Sequence, residues 1–355
     1  MTAEEFRAPL ILGDQEFLPG EKGIVHLPIG HLITHDLVQL QTYVFRGRRH
    51  GPRTFVVAGI HGDEINGTQI CRLLLSSREI RRLRGDLIII PVANPTAFLN
   101  RSRYLPDRRD LNRLFPGSAS GSFGARLAKI ISEEILEQCT HGIDLHTGAV
   151  NRPNLPQIRV SPDDATALSM ARAFNAPVII LSPIRENSLR HETEKHGGSV
   201  ILYEAGEADI LDRASVRLGL RGIIKVLRHL EMLAPSKSKL ENKLAPTLIA
   251  KKSSWIRAPR GGIFIPHLEM GKAVTPGAVL GYVGDPTGTT ETPVTAVQEG
   301  VIIGRAKQAI VDEGDGLFHI AHFADSTTVE EKIGRGGDQH GHSYEDSVFY
   351  PDEDD

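Results

Sequence analysis

Cysteine, net charge and long apolar runs are all scarce in this 355-residue chain, and each shortage removes a class of answer. The two cysteines, Cys71 and Cys139, sit in apolar, helix-like runs where a thiol behaves as a small buried hydrophobe, so no disulfide framework is expected. The 41 Lys plus Arg nearly balance the 44 Asp plus Glu, for a formal net charge of -3. That balance supplies neither the basic footprint of a nucleic-acid binder nor a polybasic stretch for a membrane surface. No run approaches the ~18 apolar residues of a membrane span. The opening stretch, MTAEEFRAPLILGDQ, carries acids where a signal peptide needs positive charge. The expectation is a cytoplasmic protein acting on a small polar molecule, with no nucleic acid and no membrane as partner.

What is present is enough chain for two domains, at roughly 100 to 200 residues each. Residues 1–50 alternate turn signals with short apolar runs, VHLPIG and LVQLQTYVF, and read as antiparallel strands. From Arg53 the pattern changes to strands separated by helical segments. The strands are TFVVAGI, DLIIIPV, GIDLH, VIILS and SVILYE; the helices fall at 64–83, 122–138 and 163–175, with another over 209–233 that includes Ile210 and Leu211. This order predicts an α/β catalytic domain over residues 1–234, a mixed sheet with helices on both faces. Between Asn94 and Gly121 runs a long, arginine-rich segment with little periodicity, a length of loop that is usually functional or disordered. A Lys-, Ser- and Pro-rich stretch at 235–253 reads as a linker. Residues 254–326, with short runs such as GGIFIPHL, AVLGYVG and GLFHIAHF, read as a small all-β sandwich or barrel. The end of the chain, 327–355, reads as a disordered acidic tail, its last 18 residues holding seven acids and no Lys or Arg.

Chemistry concentrates at strand ends. TFVVAGI runs into His61-Gly-Asp-Glu64, and GIDL runs into His146, so two imidazoles and a carboxylate reach the edge where open α/β sheets place their sites. Two nitrogens and one oxygen make an open three-ligand zinc set with a fourth position for water. His-x-x-Glu alone is weak, and Asp63 is a rival to Glu64 that reads better as a turn residue. Asp144 stands two residues before His146, where it orients that imidazole or serves as a plain loop carboxylate. Glu204 ends the last core strand and is the candidate general base; Glu207, past the Gly206 turn, is its competitor. The long loop supplies cations, Arg101, Arg103, Arg108, Arg109 and Arg113, with Asn112 beside them, for gripping carboxylates or stabilising an oxyanion.

Taken together, the pieces AGIHGDEINGT, NPTAFLNRSRYLPDRRDLNRLFPG, IDLHTG and YEAG resemble, in order and spacing, the succinylglutamate desuccinylase and aspartoacylase family of the zinc carboxypeptidase superfamily. The resemblance covers about Arg53 to Gly206, and the β-rich segment resembles the family's C-terminal module. It implies a zinc-carboxypeptidase-like fold with one zinc ion per chain on His61, Glu64 and His146, and Glu204 as general base and acid. It implies that Arg103 polarises the scissile carbonyl, and that Asn112 and Arg113 hold a free carboxylate. Beside these, Tyr104 and Arg108 are candidate substrate contacts, Arg108 and Arg109 pointing to a second negative charge on the substrate or, equally, pairing with Asp107 and Asp110. The gap between the Arg-Tyr pair and DLNR is longer than in aspartoacylase, so Arg101 or Arg108 is an alternative to Arg103. The reaction implied is hydrolysis of the amide bond of a small N-acyl amino acid by a metal-bound water.

Two rivals share these residues: a carboxypeptidase releasing C-terminal residues from peptides, and a non-catalytic, metal-dependent binding protein. The β segment also has the general shape of a biotinyl or lipoyl carrier, but Lys272 in Glu269-Met270-Gly271-Lys272 lacks a carrier's surroundings and reads as a surface residue. The module reads as structural, with a homo-oligomeric contact left open.

Overall fold

Strands that are apolar at every position, rather than at alternate ones, belong in the middle of a sheet covered on both faces. All five residues of Asp86–Ile90 are buried, and so are all but the first of Arg53–Ala58 and His141–Gly148. The computed structural model describes residues 7–236 and 247–323. The chain divides into two compact units, Met1–Lys237 and Ser238–Asp355.

In the first unit a small hairpin of β1 (Leu10–Leu12) and β2 (Gln15–Phe17) precedes β3 (Lys22–His31), β4 (Leu37–Arg46) and β5 (Arg53–Ala58). Then come α1 (Ile65–Ser76), β6 (Asp86–Ile90), α2 (Pro95–Leu99), α3 (Phe123–Glu134), β7 (His141–Gly148) and β8 (Asn154–Val160). The unit closes with α4 (Ala165–Phe174), β9 (Val178–Leu181), α5 (Leu189–Lys195), β10 (Ser199–Glu207) and α6 (Arg213–His229). Strand order is β9-β8-β10-β7-β5-β6-β4-β3. The four central strands β10, β7, β5 and β6 are parallel, β8 runs against β10, and β4 and β3 complete the sheet antiparallel.

Helices cover both faces. Along β10 the Tyr203 hydroxyl donates to the Ser215 carbonyl of α6 at 2.8 Å. Val200, three residues earlier and so on the opposite face, packs in the cluster that holds Leu127 and Ala128 of α3 and Leu189 of α5. α1 and α4 both pack against α6, while α3 packs against α5. Parallel central strands place the ends of β5, β6, β7 and β10 along one edge, the arrangement in which loops build a site.

Several elements differ from the sequence expectation. The helix over 209–233 begins only at Arg213, because the Asp212 carboxylate caps it through the Ala214 amide at 3.0 Å. Ile210 and Leu211 therefore lie outside it and are exposed. The helix over 64–83 is α1 followed by a separate short turn, Glu79–Arg82. α2, α5 and β8 were not anticipated; β8 carries Pro156 among Asn, Gln and Arg, a composition that argues against a strand. The arginine-rich loop is ordered, pinned by the enclosed side chains of Leu105, Leu111 and Phe115.

The second unit is all-β. It comprises β11 (Leu248–Ala250), β12 (Lys252–Arg257), β13 (Gly262–Pro266), β14 (Ala273–Val274), β15 (Val279–Gly284), β16 (Glu291–Thr295), β17 (Gly300–Arg305), β18 (Ile310–Val311) and β19 (Gly316–His322). One layer has the order β12-β19-β17 with β14 beside β17, the other β16-β15-β13-β18. Phe264, Leu280, Val283, Ile302, Leu317 and Phe318 share its core, with Phe264 and Phe318 edge to face at 5.6 Å. β11 and the start of β12 occupy the end of the segment expected as a 235–253 linker. The acidic tail at 327–355 lies outside the described residues. Among the described residues no helix is long and apolar enough to cross a membrane.

Candidate active site

The edge defined by the central strands carries a buried constellation. His61 follows β5, Glu64 is the residue from which α1 starts, and His146 lies near the end of β7. One Glu64 oxygen lies 2.6 Å from His61 Nδ1, and the other lies 2.8 Å from His146 Nδ1 and accepts the Thr147 amide at 3.0 Å. All three side chains are buried, and one donor atom from each lies within 4.8 Å of the others. The loop reaches this position because Gly62 lacks a side chain: a Cβ there would fall 2.0 Å from the Ala97 carbonyl carbon of α2. Asn94 caps α2 and also donates to the Ile60 carbonyl at 3.3 Å, locking the two loops together.

Each imidazole is held from behind by a carboxylate. His61 Nε2 faces Asp110 Oδ1 at 3.1 Å. His146 Nε2 lies 2.9 Å from Asp144 Oδ2, close enough for an ion pair but off hydrogen-bond alignment. Burial alone would lower both imidazoles. The charge of Glu64 together with the Asp110 and Glu64 contacts outweighs it at His61, and the charges and contacts of Asp144 and Glu64 together outweigh it at His146, so both are raised above the ordinary value. Burial likewise pushes Glu64 up, yet the two imidazoles hold it well below the usual carboxylate range. A buried anion between two inward-turned Nδ1 atoms is the donor chemistry of a divalent cation such as zinc. In a tetrahedral site with bonds of about 2.1 Å such donors stand roughly 3.4 Å apart, which this cluster reaches by small side-chain movements.

Arg103 comes from the long loop. Its guanidinium donates to Glu64 Oε1 at 3.2 Å and to Asp110 Oδ2 at 3.0 Å, and lies 3.3 Å from His61 Nδ1. Arg101 and Arg108, the alternatives, are exposed, and both take positive φ angles on the outside of the loop. Tyr104 is also exposed, and Arg109 is turned to Ser122 and Asp107. Glu204 stands directly opposite His146 in the β10–β7 ladder, so the two side chains leave the same face. Its competitor Glu207 accepts the Asn151 amide at 2.8 Å, and Asp63 stays outside the donor set.

A family profile described as the succinylglutamate desuccinylase/aspartoacylase catalytic domain matches residues 50–230. The chain belongs to the succinylglutamate desuccinylase/aspartoacylase family. A curated relative, the N-alpha-acetyl-L-2,4-diaminobutyric acid deacetylase of Halomonas elongata, is 28% identical over 295 residues, 80% of this chain and 86% of that one. The same fold occurs in a succinylglutamate desuccinylase/aspartoacylase from Rhodobacter sphaeroides, with a TM-score of 0.77 and 24% identity over 86% of this chain and 96% of that chain. It occurs too in the ectoine utilization protein EutE (DoeB) of Ruegeria pomeroyi, with a TM-score of 0.76 and 24% identity over 88% of this chain and 98% of that chain.

Within this family member, the expected carboxylate contacts Asn112 and Arg113 are joined by two residues that sequence reasoning passed over, Arg190 and Gln157. Asn112 is buried, but its Oδ1 accepts the Leu189 amide at 2.9 Å, so its carbonyl end holds α5 in place. Arg113 is exposed and bonds the Asn112 carbonyl at 2.5 Å. On α5, Arg190 is only 8% exposed and its Nη1 has no hydrogen-bond partner among the described residues. Burial lowers its pKa, and Asp144, Arg159, Glu204 and Arg185 are its charged neighbours. Gln157 of β8 is fully buried with both amide atoms unpartnered among the described residues, opposite Glu204. Bare buried donors and acceptors are costly, and a polar ligand would satisfy them. The signal for Arg190 was absent because α5 itself was not read from the sequence.

Proposed function

We propose that this protein is a zinc-dependent hydrolase of the amide bond of a small N-acyl amino acid. The observation that carries the reading is the buried His61-Glu64-His146 donor set with Glu204 beside it on the same sheet face. Zinc, when bound there, would lower the pKa of a water molecule and polarise a carbonyl. Glu204 accepts the proton of the attacking water and delivers it to the departing amine nitrogen. Arg103, already among the donor atoms, turns its guanidinium to the substrate carbonyl, and Asp110 and Asp144 fix the ring orientations of His61 and His146. The substrate carboxylate falls to guanidinium groups, Arg113 at the surface and Arg190 in the interior, with the Asn112 amide alongside. Tyr104 and Arg108 lie at the exposed rim, where they touch the substrate only as it enters. The setting proposed is the cytoplasm.

The test is a panel of N-acetyl, N-succinyl and other N-acyl amino acids, set against dipeptides. N-alpha-acetyl-L-2,4-diaminobutyrate heads it because the Halomonas elongata relative is named for that compound. Turnover of acyl amino acids, lost in Glu204→Gln while zinc content is kept, is the expected result. Release of C-terminal residues from peptides without deacylation would make the protein a carboxypeptidase. Zinc and ligand binding with no turnover in the native chain would make it a binding protein.

A further inference from the structure

The carboxylate of Glu204 is held at both oxygens by one neighbouring strand. Asn154 Nδ2 donates to Oε1 at 2.8 Å and Arg159 Nε donates to Oε2 at 2.5 Å. Both come from β8, whose register places Arg159 opposite Leu202, Gln157 opposite Glu204 and Asn154 opposite Gly206. The two donors therefore flank Glu204 along the strand, on the face shared with His146. Register slips immediately after Glu204 on both sides, before Gly206 against β8 and before Glu207 against β7. Such a bulge re-aims the side chain at its start. A glutamate there has three rotatable bonds, and donors on both oxygens remove most of that freedom. Replacing a partly buried ion pair by packed apolar residues often leaves a fold no less stable, so stability alone gives little reason for a charged clamp at this point.

We propose that Asn154 and Arg159 are positioning residues that fix the plane of the Glu204 carboxylate toward the His61-Glu64-His146 donors. The inference rests on Glu204 being the base, as proposed above. The clamp sets where the proton is received without itself touching the reacting atoms. An unclamped Glu204 swings between rotamers and spends less time within reach of the water.

The experiment uses the full-length, zinc-loaded protein and the N-acyl amino acid turned over fastest in the panel. Arg159→Ala is expected to lower kcat about 10- to 100-fold. KM should stay within about three-fold and zinc content should be unchanged. Asn154→Ala, which removes the neutral donor, is expected to lower kcat less, by about 3- to 10-fold. Free guanidinium ion should restore part of the Arg159→Ala loss, and Arg159→Lys should fall between the native chain and Arg159→Ala. Loss of activity together with zinc or folded structure, with no guanidinium rescue, would reduce Arg159 to a structural part and overturn the inference. So would a native kcat in Arg159→Ala while Glu204→Gln is dead. A fully active Glu204→Gln would instead remove the reading on which the clamp rests.

Discussion

Replacing Asp110 by Asn changes one charge and almost no volume, and the contacts around it set the consequence. The Asp110 carboxylate faces His61 Nε2 at 3.1 Å, accepts the Asn112 amide at 2.9 Å and accepts from Arg103 Nη2 at 3.0 Å. In Asp110→Asn the amide oxygen keeps the first two contacts, but its NH2 group is left facing the Arg103 NH2. Donor meets donor, and His61 loses a charged acceptor that makes its inward nitrogen a better ligand. Losing such an outer carboxylate typically weakens metal binding 10- to 100-fold, which is about 1.4 to 2.8 kcal/mol. Arg103 is 31% exposed, so its lost ion pair adds little to that figure. Zinc affinity by chelator competition should fall in this range, and kcat/KM measured at limiting zinc should fall with it, recovering in part when zinc is raised. Native zinc affinity in Asp110→Asn would show that the contact does not support His61 as a ligand.

Three other outcomes arise from the same geometry. Gly62→Ala places a methyl group 2.0 Å from the Ala97 backbone, so melting should show a loss of at least about 1–3 kcal/mol, with zinc content falling because His61 and Glu64 flank the displaced residue; a native-like variant would contradict the packing. Gln157→Met removes a buried amide without partners among the described residues and should raise stability by about 1–3 kcal/mol while raising KM, whereas an unchanged KM would deny the amide a ligand. Burial, the leading cause, raises Cys139 from an ordinary 9.0 to about 12, and it raises Cys71 as well. The folded state thus holds these protons more tightly, a stabilisation present below the unfolded thiol pKa and lost as pH rises from there toward 12. Neither thiol should react with a disulfide reagent in the native protein, and both should react after alkaline unfolding.

The apolar strands were legible because burial on both faces writes an unmistakable run, as in Asp86–Ile90. Strand ends then told which side chains reach the edge, which is why His61, Glu64, His146 and Glu204 could be picked out together. β8 was not legible: Pro156 and three large polar side chains hide a strand whose hydrogen bonding comes from β10 rather than from its own pattern. Losing β8 meant losing Asn154, Gln157 and Arg159, all three of which surround Glu204. Asp110 was in view only as one of two acids, with Asp107, that Arg108 and Arg109 could pair with; the folded loop instead turns it to His61 and Arg103. Arg190 depended on α5, seven residues of mixed polarity whose place is set by the Asn112 contact rather than by periodicity.

The central claim is a zinc ion on two imidazoles and one carboxylate, and zinc K-edge X-ray absorption of the purified chain tests it most directly. One equivalent of zinc per chain, with a shell of nitrogen and oxygen donors at about 2.0–2.2 Å that disappears in His61→Ala, is the expected spectrum. A zinc-free protein that still deacylates, or a metal shell unaffected by His61→Ala, would contradict it.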